Sequence, residues 1–137
     1  MDSEAWGARS GRRRLTLALG DASMVLLVTL IGFASHQELV PPASGRMLAT
    51  WLPFTASWFV MASLLGLYRP RTAGGLRDAW RVGLAALFVA ALGAWFRSLW
   101  LHSGIGPVFV LVMAGVTTLA MSAWRALYAW TARRPKP

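Results

Sequence analysis

Apolar positions in this chain gather into four long blocks, over 15–35, 47–68, 82–101 and 107–128. They do not show the alternating or three-to-four-spaced stripes of a soluble domain. Each block holds about 20 residues, which at 1.5 Å of rise per residue is the length an α-helix needs to cross a hydrocarbon core of roughly 30 Å. The blocks are apolar nearly all round, which suits lipid or a fully buried helix. The connections are short and carry Pro and Gly, as in Val40-Pro41-Pro42-Ala43-Ser44-Gly45 and Arg69-Pro70-Arg71-Thr72-Ala73-Gly74-Gly75. Short connections make consecutive helices antiparallel neighbours. The pattern predicts an all-α membrane fold, an up-down bundle of four transmembrane helices, with an N-terminal segment over 1–14 and a tail over 129–137. Two rows of small residues, Ala86-Ala90-Ala94 and Ala114-Thr118-Ser122, let backbones approach closely. Pro53 interrupts the second span and leaves the carbonyl of Ala49 without its helical donor.

Composition agrees: 56% of residues are hydrophobic and only 14% charged, too apolar for an ordinary soluble domain of this size. The net charge of +9 would suggest nucleic acid, but the basic residues, all arginine except Lys136, mostly flank the apolar blocks. That placement speaks of topology and of anionic headgroups, and against nucleic acid as a partner. Arg9, Arg12, Arg13 and Arg14 precede the first span. Arg69, Arg71, Arg77 and Arg81 fill the second connection, and Arg133, Arg134 and Lys136 the tail. The first connection has Arg46, offset by Glu38, and the third has no Lys or Arg. The positive-inside rule then predicts both termini in the cytoplasm of a multi-pass protein of a prokaryotic inner, or plasma, membrane. A cleaved signal peptide fits poorly, because the first apolar run is too long and contains Asp21. Tyr68, Trp80, Trp124, Tyr128 and Trp130 fall at the cytoplasmic interface and Trp51, Trp95 and Trp100 at the other, as an aromatic belt requires. Trp58 lies near mid-membrane and reads as a packing residue.

Three ionisable residues lie inside spans: Asp21, Arg97 and Arg125. A charge at the bilayer centre costs roughly 2.5–3.5 kcal/mol, so each needs a partner, water or a route to the headgroups. Asp21 lies seven residues past Arg14, about 10 Å inside the cytoplasmic edge, and Arg125 lies eight residues before Arg133. Their shared depth predicts an ion pair joining the first helix to the fourth, with Thr118 and Ser122 on the face of Arg125 completing an intramembrane polar network. The other reading makes Asp21 a proton or cation site of a transporter. Arg97, near the outer end of the third span, has His36, Glu38 and His102 at its depth. It either reaches the outer headgroups or joins His36 and His102 in an outer-side polar cluster for an anionic ligand or lipid. Two histidines at span ends also resemble a bis-histidine haem or metal pair, but they lack further ligands or a spacing signature. No cofactor or metal is expected.

With no cysteine, thiol nucleophiles and thiolate ligands are excluded. The chain also lacks a glycine-rich phosphate loop, an H-E-x-x-H motif and a nucleophile elbow, so no enzymatic activity is expected. Ser35 and His36 adjoin, but no third group supports them as a dyad.

Several short motifs carry a resemblance in order and spacing: Gly20-Asp21, Gly32-Phe33-Ala34-Ser35-His36, Trp51-Leu52-Pro53-Phe54, Gly66-Leu67-Tyr68, Gly93-Ala94-Trp95-Phe96-Arg97 and Trp124-Arg125. Over residues 17–128 the chain resembles a family of small prokaryotic four-span membrane proteins known as a domain of unknown function. The resemblance implies that Asp21, His36, Pro53, Arg97 and Arg125 match the family's polar and proline positions, and it supplies no substrate. Small multidrug transporters also have four spans and a carboxylate in the first, but theirs is typically Glu, and the arginine bias here fixes one orientation. Two functions are therefore expected. The expected partners are other membrane proteins or the chain itself, and the first function is a non-enzymatic structural or accessory subunit that packs with other membrane proteins. The alternative is a small oligomeric transporter or channel using Asp21.

Overall fold

The structure, a computed structural model, describes residues 2–36, 43–69 and 79–132 of the chain. Every predicted span falls on an α-helix: α1 (Asp2–Ser35), α2 (Ala43–Leu64), α3 (Ala79–Leu101) and α4 (Pro107–Ala132). All four are long and apolar enough to cross a membrane, so the chain has the helices of a multi-pass membrane protein, and there is no strand among the described residues. The helices run up and down around a closed ring. The α2–α3 and α3–α4 interfaces are the broadest, and α1 closes the ring through smaller contacts with α2 and α4.

Helix ends depart from the hydropathy boundaries for local reasons. α1 begins at Asp2, well before the apolar block, because arginines that end a hydropathic run are good helix formers. Likewise α4 continues into the predicted tail as far as Ala132. α2 runs through Pro53 and stops at Leu64, four residues before the apolar run ends at Tyr68. There Gly66 takes φ +70°, Leu67 N–H donates to the Ala62 carbonyl at 2.8 Å and Gly66 N–H to the Ser63 carbonyl at 3.1 Å. This is a Schellman cap, in which a left-handed residue lets two amides turn back onto the last carbonyls. Buried Leu67 closes it against buried Ala62. α3 ends in the same way. His102 holds the left-handed position, at φ 48°, and Ser103 N–H donates to the Ser98 carbonyl at 3.1 Å.

Packing follows side-chain size. α3 buries Ala85, Ala86, Val89, Ala90, Gly93 and Ala94, a narrow face that admits the large side chains of α2. A Cβ on Gly93 would lie 2.7 Å from the Phe54 ring, so that ring rests on bare backbone. Between α1 and α4 the approach is closer still, since a Cβ on Gly20 would fall within the Trp124 indole. Fully buried Phe54 and Trp58 fill the centre with Val25, Ala62, Val82 and Met121. Dispersion and close packing hold such contacts in lipid, where no hydrophobic force drives helices together.

Candidate functional site

The buried stripe of α1 runs Leu17, Asp21, Val25, Val28, and that of α4 runs Ala114, Thr117, Met121, Arg125, Ala129. These are the spacings that place side chains on one face of a helix. Asp21 and Arg125 thus occupy positions where a bundle would ordinarily bury an aliphatic side chain. Both are withdrawn from the surroundings, at 0% and 5% exposure.

They meet directly. Arg125 Nη2 donates to Asp21 Oδ2 at 2.6 Å, the pair that equal depth on α1 and α4 predicts. The same oxygen accepts from Tyr68 Oη at 2.7 Å and from Trp58 Nε1 at 2.9 Å. Arg125 Nη1 donates to the Leu67 carbonyl at 2.9 Å, and its guanidinium lies 5.3 Å from the Tyr68 ring centre. The Schellman cap explains why α2 contributes twice. By turning the chain at Gly66, it aims the Leu67 carbonyl at the arginine and the Tyr68 hydroxyl at the carboxylate. The contact is single-pronged, and Asp21 Oδ1, Arg125 Nε and Trp124 Nε1 are buried without hydrogen-bond partners among the described residues.

Trp58 packs in the core as expected, and its indole N–H is in addition a ligand of the carboxylate. A buried indole N–H needs an acceptor, and that need was the available signal. Tyr68 and the Leu67 carbonyl could have been found from Gly66, which ends the helix and brings both to the site. Thr118 and Ser122 do not reach Asp21. Thr118 shares the face of Arg125 but sits seven residues away, about 10 Å along the axis. Its hydroxyl donates to the Ala114 carbonyl at 2.7 Å, and its methyl lies toward Gly83 of α3. Ser122 is half-buried and is not among the partners of the carboxylate.

The outer-side cluster divides. Arg97 and His36 line one cavity at the end of the bundle away from the termini, together with Arg46 and Thr50. His102 is absent from that lining, since it caps α3 instead. Arg97 Nε donates to Thr50 Oγ1 at 2.9 Å, and its guanidinium lies 5.1 Å from the Phe109 ring centre. Its Nε is thus held inside the bundle, by a threonine that sequence reasoning did not name. Glu38, Arg71, Arg77, Arg133, Arg134 and Lys136 lie outside the described residues. Among the described residues no three His, Cys, Asp or Glu side chains come together as a metal site.

With this geometry in view, the chain proves to match the model of the family described as protein of unknown function, DUF3054, over residues 18–128. No curated protein and no solved structure matches it. The match covers all but the ends of the chain, including Asp21, Trp58, Tyr68, Arg97 and Arg125, and the chain belongs to this family.

Proposed function

We propose that this DUF3054 protein is a non-enzymatic structural or accessory subunit of a prokaryotic inner membrane, with both termini cytoplasmic, packing with other membrane proteins. The observation that carries this reading is the closure of Asp21. A transport carboxylate must meet water or cargo at some stage, and this one is fully buried with three donors on one oxygen. The cavity at the other end begins at Val28, seven residues or about 10 Å further along α1, and none of the residues touching Asp21 lines it. A carboxylate used in this way ties three elements together, because breaking it open would strand a charge in lipid. The outward faces support the same reading. α4 presents Val108, Leu111, Val112, Leu119 and Leu127, an apolar surface that another membrane helix or lipid can cover.

The test is gentle solubilisation of native membranes, capture of the tagged chain after chemical crosslinking, and identification of the crosslinked partners. A reproducible integral-membrane partner, crosslinked through α1 or α4, is the expected result. Recovery of the chain alone as a stable homo-oligomer would overturn the accessory role. Proton or cation flux through proteoliposomes that is lost in a folded Asp21→Asn variant would replace it with transport.

A further inference from the structure

The cavity at the loop end of the bundle serves no part of the Asp21 cluster. It encloses about 410 Å³, within the range of ordinary ligand pockets, and all four helices contribute to its wall. We propose that it binds an anionic phospholipid, whose phosphate is held by Arg46, Arg97 and His36 and one of whose acyl chains lies between α1 and α4.

The two halves of such a ligand find two different walls. The polar wall is built before anything binds. Thr50 Oγ1 accepts from Arg97 Nε at 2.9 Å and donates to the Arg46 carbonyl at 2.9 Å, while Phe109 supports the guanidinium plane. A planar guanidinium fixed through Nε and stacked on a ring is preorganised for a phosphate, and little rotamer freedom remains to be lost. Arg46 in the first turn of α2 and His36 just past α1 are exposed beside it, at the helix ends where headgroups lie. The rest of the wall is largely apolar, built by Val28 and Phe33 from α1 and by Phe109 and Met113 from α4. A free inorganic anion would leave that wall unsatisfied, whereas an acyl chain fits it. The cavity also opens sideways: Ile31 on α1 and Val112 and Val116 on α4 line it and are exposed, so a chain can enter from the bilayer. Gly32 gives it room, since a Cβ there meets nothing within 4 Å. The proposal does not rest on the accessory-subunit reading: the Asp21 cluster that carries that reading lies at the other end of the bundle, although Val112 belongs to both apolar surfaces.

The experiment uses the purified full chain in mild detergent, with native mass spectrometry of bound lipid after exchange against phosphatidylglycerol or phosphatidylcholine. Wild type should retain phosphatidylglycerol at least about tenfold over phosphatidylcholine, because both lipids carry the phosphate but the choline cation of the second is repelled by Arg46 and Arg97. Arg46→Gln and Arg97→Gln should each lower that retention about tenfold. Gly32→Leu, which fills the cavity without touching a charge, should lower it similarly while near-ultraviolet circular dichroism stays that of wild type. Should Gly32→Leu fail to fold, the exposed Arg46→Gln decides. Equal retention of the two lipids, or unchanged retention in a folded Gly32→Leu or Arg46→Gln variant, overturns the proposal. Displacement of phosphatidylglycerol by millimolar inorganic phosphate also overturns it, in favour of a site for soluble anions.

Discussion

Replacing Asp21 by Asn and Arg125 by Gln, singly and together, separates the charge pair from the hydrogen bonds around it. Asp21→Asn is isosteric, and Arg125→Gln keeps a polar side chain two heavy atoms shorter, so the comparison of single and double variants reads the charges apart from the packing. Asp21→Asn leaves the guanidinium of Arg125 buried at 5% exposure, with the Leu67 carbonyl and the Tyr68 ring as its remaining support. Arg125→Gln leaves a fully buried carboxylate with two neutral donors, Trp58 and Tyr68. Removing one member of a buried ion pair costs about 3–5 kcal/mol, whereas an interhelical hydrogen bond in a membrane averages only about 0.6 kcal/mol. The stranded charge therefore dominates each single variant.

Each single substitution should cost at least about 3 kcal/mol. The double variant, which strands nothing, should cost about the same as one of them rather than the sum of both. The coupling energy then comes out at about 3 kcal/mol or more, at the top of the range for residues in direct contact. The assay is reversible unfolding of the full chain in mixed micelles as the denaturing detergent is raised, followed by near-ultraviolet circular dichroism. That signal reports the fixed setting of the aromatic side chains, Trp58 and Tyr68 among them. Additive losses, with a coupling below about 0.5 kcal/mol, would show that the two charges do not stabilise each other and would refute the clamp.

The two helix caps give predictions of opposite sign. Gly66→Ala forces a Cβ into the left-handed region at φ +70° and should cost about 1 kcal/mol. His102→Gly relieves the same conformation at φ 48° and should leave stability equal or up to about 1 kcal/mol higher; a loss in the same unfolding assay would assign His102 a role beyond capping. On α1, Gly20→Val drives a branched side chain into the Trp124 indole and should destabilise by about 1–3 kcal/mol, while Gly32→Leu on the same helix should be near neutral; equal effects would refute the close α1–α4 approach. Finally, Leu17→Cys introduces a thiol into a chain that has none, at a fully buried position one turn before Asp21. Maleimide labelling should be slow alone and at least about tenfold faster when Asp21→Asn is added, as expected when about 1.4 kcal/mol or more of closure is lost.

The helices were legible because lipid removes alternatives: a run of about 20 apolar residues has little else to be. The Asp21–Arg125 pair was legible for a related reason, since charges in the spans are few and depth restricts their partners. Hydropathy is blind to turns made of apolar residues, and Leu65, Gly66, Leu67 and Tyr68 form one. The only mark of that turn was the glycine, and with it went the carbonyl and hydroxyl that complete the cluster. Trp58 was missed because aromatic burial explains an indole without asking where its N–H goes. Thr118 and Ser122 were drawn in by angular position alone, although a shared face does not imply a shared depth. His102 looked like a ligand because polar residues at span ends do; its backbone caps α3, and it does not line the cavity with Arg97 and His36.

The cluster sits where the bundle has least else to hold it. α2, α3 and α4 pack through broad interfaces in which Phe54 and Trp58 meet the small residues of α3, and such contacts persist in lipid through dispersion alone. α1 has only smaller interfaces with α2 and α4, and its outward Leu19, Leu27 and Ile31 are as well solvated by lipid as by protein. Its attachment therefore rests on directional contacts. Asp21 reaches α4 through Arg125, and it reaches α2 and its cap through Trp58 and Tyr68. The Trp51 indole of α2 donates to the Ala22 carbonyl at 3.3 Å, and Trp124 of α4 seats on Gly20. All of these fall within residues 20–22 of α1, a single turn. A carboxylate at that turn costs free energy to bury, and the same cost makes separation from its donors in lipid worse still. The ion pair thus supplies the specificity of position that packing alone does not give this helix.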